Sequence, residues 1–192
     1  TDFSGTDAAA VIQSAINALP DAQDLGGGII QLGQGDFSCS ERISIDETAT
    51  PSTVRHIIMR GQGRRSSRLV FAANKSGIEI IDSEPKTAFI SIEDLGIVGN
   101  SLQTSPVGIY ARDFWNLVLR NLEVQNFQKG IHFQGWEWVQ MENIVLKGYR
   151  DVVFFIEQIR TSEGHMSVER LHTITPPGAA NGTAGVRIET SA

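Results

Sequence analysis

The sequence predicts an all-β solenoid, a parallel β-helix of about six coils closed at its N-terminal end by one α-helix. Three observations carry this. A 22-residue unit occurs twice in tandem, GIYARDFWNLVLRNLEVQNFQK from Gly108 and GIHFQGWEWVQMENIVLKGYRD from Gly130. The two halves of that unit recur with looser spacing along the chain. Its apolar residues follow period two, and the unit is too short for a pair of helices.

The repeat fixes a register. Gly108 sits over Gly130, Ile109 over Ile131, Asn121 over Asn143 and Leu122 over Ile144. The first half recurs as GIEI from Gly77, GIYA, GIHF, VVFF from Val152 and GVRI from Gly185, at intervals of 31, 22, 22 and 33 residues. The second half recurs as ISIEDLGI from Ile90, LVLRNLEV from Leu117, VQMENIVL from Val139 and MSVERLHT from Met166. Ile92, Leu119, Met141 and Val168 share one buried-type column, and Leu95, Leu122, Ile144 and Leu171 another. Glu93, Arg120, Glu142 and Glu169 punctuate them. Insertions at Ser101–Val107 and Pro176–Gly185 account for the uneven intervals. The alternative, a β-sandwich whose strands align by chance, does not explain two full units that agree at both strand positions.

The elements follow in order. Thr6–Leu19 reads as a helix with an apolar stripe of Val11, Ile12, Ala15, Ile16 and Leu19, capped by Thr6 or Asp7 and stopped by Pro20. A solenoid exposes unpaired apolar side chains at its end, and this helix is placed to cover them; docking another domain is the alternative. Residues 1–28 form the capping region and 29–192 the coils of one domain. Gly26–Gly28 precedes a strand and lacks Gly-Lys-Ser/Thr or Rossmann spacing, so it reads as an entry turn and not a phosphate cradle. Ile57–Met59 and Leu69–Phe71 are strands joined by a glycine–arginine turn. The closing GVRIETSA starts a further coil, as in a fragment of a longer chain.

Composition narrows the function. Sixteen Lys and Arg oppose 22 acidic residues, a formal net charge of -6, which disfavours nucleic acid as a partner. No apolar run is long enough to insert in a membrane. Cys39 is the one cysteine, so no intramolecular disulfide or thiolate zinc cluster forms, and it reads as a buried apolar thiol. His56, His132, His165 and His172 show no metal spacing, and no metal or cofactor is expected.

Three groups of side chains are candidates for function. Five positions after the start of each first half stand Asp82, Asp113, Gly135 and Glu157. Coils stack about 4.8 Å apart. Asp82, Asp113 and Glu157 could therefore pair as catalytic acid and base at glycosidase-like separations. Ordinary acidic turn positions are the alternative. Trp115, Trp136, Glu137 and Trp138 crowd two coils, and aromatic faces beside carboxylates suit sugars. Strict alternation places Trp136 and Trp138 together on the face opposite Glu137, which also fits core or subunit packing. Arg64, Arg65 and Arg68 can bind an anion such as an acidic sugar or phosphate, or can simply be solvated turn residues.

Two segments carry a family resemblance. TDAAAVIQSAINALPDAQDLGGGIIQLGQGDF resembles the opening of pectate-lyase-like β-helix proteins, in which a short helix leads through glycines into the first strand. IIMRGQGRRSSRLVF resembles that family's early strand, glycine turn and next strand. The repeats from Gly77 to Ile188 cover most of the rest. The resemblance implies a right-handed, single-stranded parallel β-helix with an N-terminal capping helix, most like phage tail-spike proteins. It further implies a polysaccharide partner, a homotrimer and a virion-tail or extracellular location. The expected function is recognition of a bacterial surface polysaccharide, with or without depolymerase activity. The alternatives are a stand-alone glycoside hydrolase or polysaccharide lyase, and a non-catalytic assembly module. QLGQGDF departs from the family's first turn. Neither a lyase's calcium-binding aspartates and arginine nor the paired aspartates of polygalacturonases are matched, so no catalytic residue carries over.

Overall fold

The computed structural model describes residues 6–20, 26–46, 55–81, 89–100, 106–149, 151–158, 165–174 and 184–190; for residues 55, 136, 137, 153, 158 and 184–190 it describes the backbone alone.

Helix α1 spans Ala8–Asn17. Asp7 is its N-cap, and its Oδ1 accepts from the Ala9 N–H at 3.2 Å. Ala9, Ile12 and Ile16 are buried against β1 (Gly26–Gln31), β2 (Gly35–Cys39) and β3 (Ile43–Asp46). The helix covers more than apolar surface. The Gln13 side-chain amide donates to the Ser44 carbonyl and accepts from the Ser44 N–H, both at 2.9 Å. Asp7 accepts from the Ser40 N–H at 3.0 Å and the Ser40 hydroxyl at 2.5 Å. Side chains of the helix thus take the place of a neighbouring strand along an edge whose backbone groups otherwise invite pairing.

The strands continue as β4 (Arg55–Arg60), β5 (Ser67–Phe71), β6 (Ile78–Ile81), β7 (Phe89–Glu93), β8 (Gly96–Gly99), β9 (Val107–Gln125), β10 (Lys129–Lys147), β11 (Val152–Gln158), β12 (His165–Ile174) and β13 (Ala184–Thr190). Every pairing among them is parallel, and the pairings form three ladders. The first ladder runs β1, β4, β7 and then the middle of β9, the middle of β10 and β12. The second runs β2, β5, β8 and the ends of β9, β10 and β12. The third runs β3, β6, the starts of β9 and β10, then β11 and β13. The chain visits the ladders in rotation, which makes the sheet a curled, β-helix-like stack.

The inside is a set of aliphatic and aromatic columns. Ile43, Ile78, Ile109, Ile131 and Phe154 stack in register and are buried. Ile92, Leu119 and Met141 stack as predicted; Val168 completes their column on the last described strand of that ladder and is 43% exposed. Phe114, Phe133 and Phe154 follow one another at 5.4 Å between ring centroids. Cys39 is buried as expected, and burial followed by the charge of Asp7 pushes its thiol up to about 12.

The corners explain why β9 and β10 turn without breaking. Asp94, Asn121, Asn143 and Arg170 all have φ between 50° and 57° and lie in one column between the first and second ladders. Asn and Asp are the non-glycine residues that best tolerate this left-handed conformation. Their side chains also ladder: Asn121 donates to Asp94 at 2.5 Å and Asn143 to Asn121 at 3.0 Å. Asp113 (φ 55°) and Gly135 (φ 69°) form the corner between the third and first ladders. Gly77 and Gly108 stack without room for side chains. A Cβ on Gly108 meets Val124 at 2.3 Å and the Gly130 carbonyl at 2.7 Å.

The register corrects one alignment. Lys129 pairs with Val152 and Ile131 with Phe154, which sets Gly130 against Val153 and not against Val152. Glu157 therefore stands beside Gln134 and Arg112, one position out of the column of Asp113 and Gly135. No glycine marks the start of that strand, so the sequence alone left the slip open.

Candidate functional site

The third ladder points a chemically rich row of side chains outward. Glu79, Tyr110, His132 and Phe155 occupy one column; Arg112, Gln134 and Glu157 occupy the column two residues on. The period of two puts both on the face opposite the isoleucine core; on that face Tyr110 and His132 are part-buried and Phe155 is buried, at 6% exposed. The rings lie close: Tyr110 to His132 is 5.1 Å and His132 to Phe155 is 4.5 Å, both tilted. The Lys129 ammonium sits 4.3 Å over the Phe155 ring.

Hydrogen-bonding groups border the rings. The Tyr110 hydroxyl donates to Gln134 Oε1. His132 Nε2 lies 3.4 Å from Glu157 Oε2. The Arg112 Nε lies 3.7 Å from Asp113 Oδ2. Burial raises the Asp113 carboxyl above the usual aspartate range, with Arg112 pulling the other way. Burial also raises the Tyr110 phenol; Arg112 opposes this, while Glu79, Glu157 and Asp113 add to it. Asp113 and Glu157 do not stack in a column, but both act on the same phenol.

The other predicted residues are dispersed. Asp82 lies outside the described residues. Trp115 follows the Asp113 corner, and its buried indole N–H has no hydrogen-bond partner among the described residues. Trp136 pairs with Phe114, which is buried, whereas Trp138 pairs with Asn116 on the outer face and is 53% exposed. Two residues, Trp115 and Asn116, separate the buried Phe114 and Leu117, so strict alternation fails at this corner of β9. Of Glu137 the structure describes the backbone, within β10. The arginines have separate partners: Arg64 donates to Asn143 at 3.2 Å, Arg65 is 3.6 Å from Glu123, and Arg68 is 3.2 Å from Asp36.

Sequence reasoning missed Tyr110, His132, Gln134 and Phe155 as a group. Their signal is the positions two and four residues after the column of Gly108 and Gly130, read in the true register, where Val153 stands in for the glycine. His132 looked isolated because its carboxylate partner, Glu157, was assigned to the adjacent column.

No protein-family model and no curated protein matches the chain. Among solved structures, ORF18 of Geobacillus virus E2 is similar, with a TM-score of 0.51 and 12% identity over 86% of this chain. The chain spans 38% of that structure's length. At that identity the likeness bears on the fold alone: an N-terminal helix followed by a curled, mainly parallel β-sheet.

Proposed function

We propose that this chain is a right-handed β-helix domain of a tail-spike-like protein and recognises a bacterial surface polysaccharide along the outer face of its third ladder. The observation that carries the reading is the Tyr110–His132–Phe155 column bordered by Arg112, Gln134 and Glu157. Rings cover the apolar faces of sugars, while guanidinium, amide and carboxylate groups bond their hydroxyls. A column along the solenoid axis suits an extended chain of sugars, since each coil offers a similar foothold. A virion-tail or extracellular location accompanies this reading, supported by the likeness to a viral structure; a homotrimer rests on the family resemblance alone.

The test is binding of purified bacterial surface polysaccharides by calorimetry. Tyr110→Ala and Phe155→Ala are expected to weaken binding at least about tenfold, or about 1.4 kcal/mol. Tyr110→Phe separates the ring from its hydroxyl and preserves packing. Binding that survives both alanine variants overturns the reading.

A second reading, depolymerisation in the same groove, rests on Asp113. Its raised carboxyl beside Arg112, near the His132–Glu157 pair, offers a proton donor and a base. Release of reducing ends or unsaturated uronates, lost in Asp113→Asn and Glu157→Gln, supports it. A polysaccharide that is bound and remains intact leaves recognition alone.

A further inference from the structure

The outer face of the first ladder carries a separate column: His56, Phe89, Asn116, Trp138 and His165. His56 stacks on Phe89 with centroids 6.0 Å apart, and Trp138 stacks on His165 at 4.6 Å. Between these two stacks the column loses its ring for one rung, because Asn116 is short. A cleft of about 490 Å³ starts there and runs past Trp138 to His165 and Ser167, with Val118 and Gln140 also lining it.

Three properties of the cleft define an occupant. The first is spacing. Phe89 and Trp138 are two rungs apart, about 9.6 Å along the axis. Carbon contacts of about 3.5–4.0 Å against each ring consume about 7–8 Å of that. The remainder leaves room for a single ring between the two side chains. The second is unused hydrogen-bonding capacity: the Asn116 and Gln140 amides and the Ser167 hydroxyl line the cleft and make no hydrogen bond among the described residues. The third is neutrality. Among the described residues no Lys, Arg, Asp or Glu lines it, in contrast to the outer face of the third ladder with Arg112, Lys129, Glu79 and Glu157.

We infer that this cleft binds one neutral pyranose ring, sandwiched between Phe89 and Trp138, with its hydroxyls bonded to Asn116 and Gln140. The choice of a sugar as ligand class rests on the carbohydrate reading above; the position, stoichiometry and neutrality come from the cleft itself. The domain then holds two glycan contacts of opposite character, a charged groove on the third ladder and a neutral slot on the first.

The test titrates the full chain with methyl glucopyranoside, methyl galactopyranoside and methyl glucuronide, read by saturation-transfer NMR and calorimetry. At least one neutral glycoside is expected to bind one-to-one and at least about fivefold more tightly than the glucuronide. Trp138→Ala is expected to weaken it at least about tenfold. Asn116→Phe fills the empty rung with a ring on a part-exposed strand position where aromatics are favourable, so it blocks the slot without relying on a cavity-forming variant. Failure of both neutral glycosides to bind, no preference over the glucuronide, or binding that survives Asn116→Phe each overturns the inference. Polysaccharide binding that depends on Tyr110 and Phe155 is a separate readout and stands or falls by itself.

Discussion

Replacing Glu93 by Gln tests how the coils are tied on their outer surface. Glu93 is 9% exposed and sits between two arginines of adjacent coils. Arg60 reaches its Oε2 at 2.9 Å and Arg120 its Oε1 at 3.8 Å, while the Ser91 hydroxyl donates to Oε1 at 2.7 Å. Arg120 goes on to Glu142 at 3.1 Å, and Arg170 to the same Glu142 at 2.5 Å, so charges alternate along the axis. Hydrogen bonds to charged groups contribute about 1.5–3 kcal/mol each where shielded, and exposed pairs only about 0.2–1 kcal/mol. Arg60 and Arg120 are 41% and 46% exposed, so the lower part of these ranges applies. Glu93→Gln keeps the shape and is expected to cost about 2 kcal/mol near neutral pH. With a urea m-value of about 2–3 kcal/mol/M, the midpoint falls by about 0.7–1 M.

Acid supplies the control. Burial pushes the Glu93 carboxyl up, but Ser91, the Arg60 hydrogen bond and charge, and Arg120 together hold it below its ordinary 4.5. A carboxylate lowered on folding stabilises the fold fully above its unfolded value, and that contribution is lost as pH falls through the lowered one. The gap between wild type and Glu93→Gln must therefore narrow on acidification. Equal midpoints near neutrality, or a gap that widens in acid, refute the reasoning.

Three further outcomes follow from the same packing. Gly108→Ala places a methyl against Val124 and the Gly130 carbonyl and is expected to cost about 1–3 kcal/mol in urea unfolding; a neutral result contradicts the glycine stack. Asn121→Ala removes two rungs of the corner ladder and leaves a Cβ-bearing residue at φ 50°, costing about 2–3 kcal/mol; Asn121→Gly recovers the conformational part alone, and equal losses in the two variants sink that partition. Gln13→Ala uncovers the Ser44 backbone and is expected to cost about 1 kcal/mol and to speed hydrogen exchange at the Ser44 amide; unchanged exchange there contradicts the edge-sealing role of α1.

Much of this was legible in the sequence because period two and a 22-residue repeat are strong signals. They placed Leu119 over Met141 and Asn121 over Asn143, as the pairings show. The helix was legible from its stripe and its cap at Asp7, although Gln13 as a surrogate strand was not, since a side-chain amide leaves no periodic trace. The slip at Val152 was illegible for a related reason: with no glycine at the repeat start, VVFF fits either of two registers. That slip moved Glu157 to the neighbouring column and hid its contact with His132. The break in alternation between Phe114 and Leu117 was also hidden, because the strand rounds the Asp113–Gly135 corner there.

The stacking that builds both outer faces can be measured directly with paired cysteines in a Cys39→Ser background. Val118 and Gln140 are register partners on adjacent coils, about 4.8 Å apart and within disulfide reach of about 4.4–6.8 Å between Cα atoms. Val118→Cys with Gln140→Cys is expected to cross-link on mild oxidation and to shift on a non-reducing gel. Val118→Cys with Glu142→Cys is displaced by two residues and is expected to stay reduced. Cross-linking of the displaced pair in preference to the register pair would contradict the stack and, with it, both proposed surfaces.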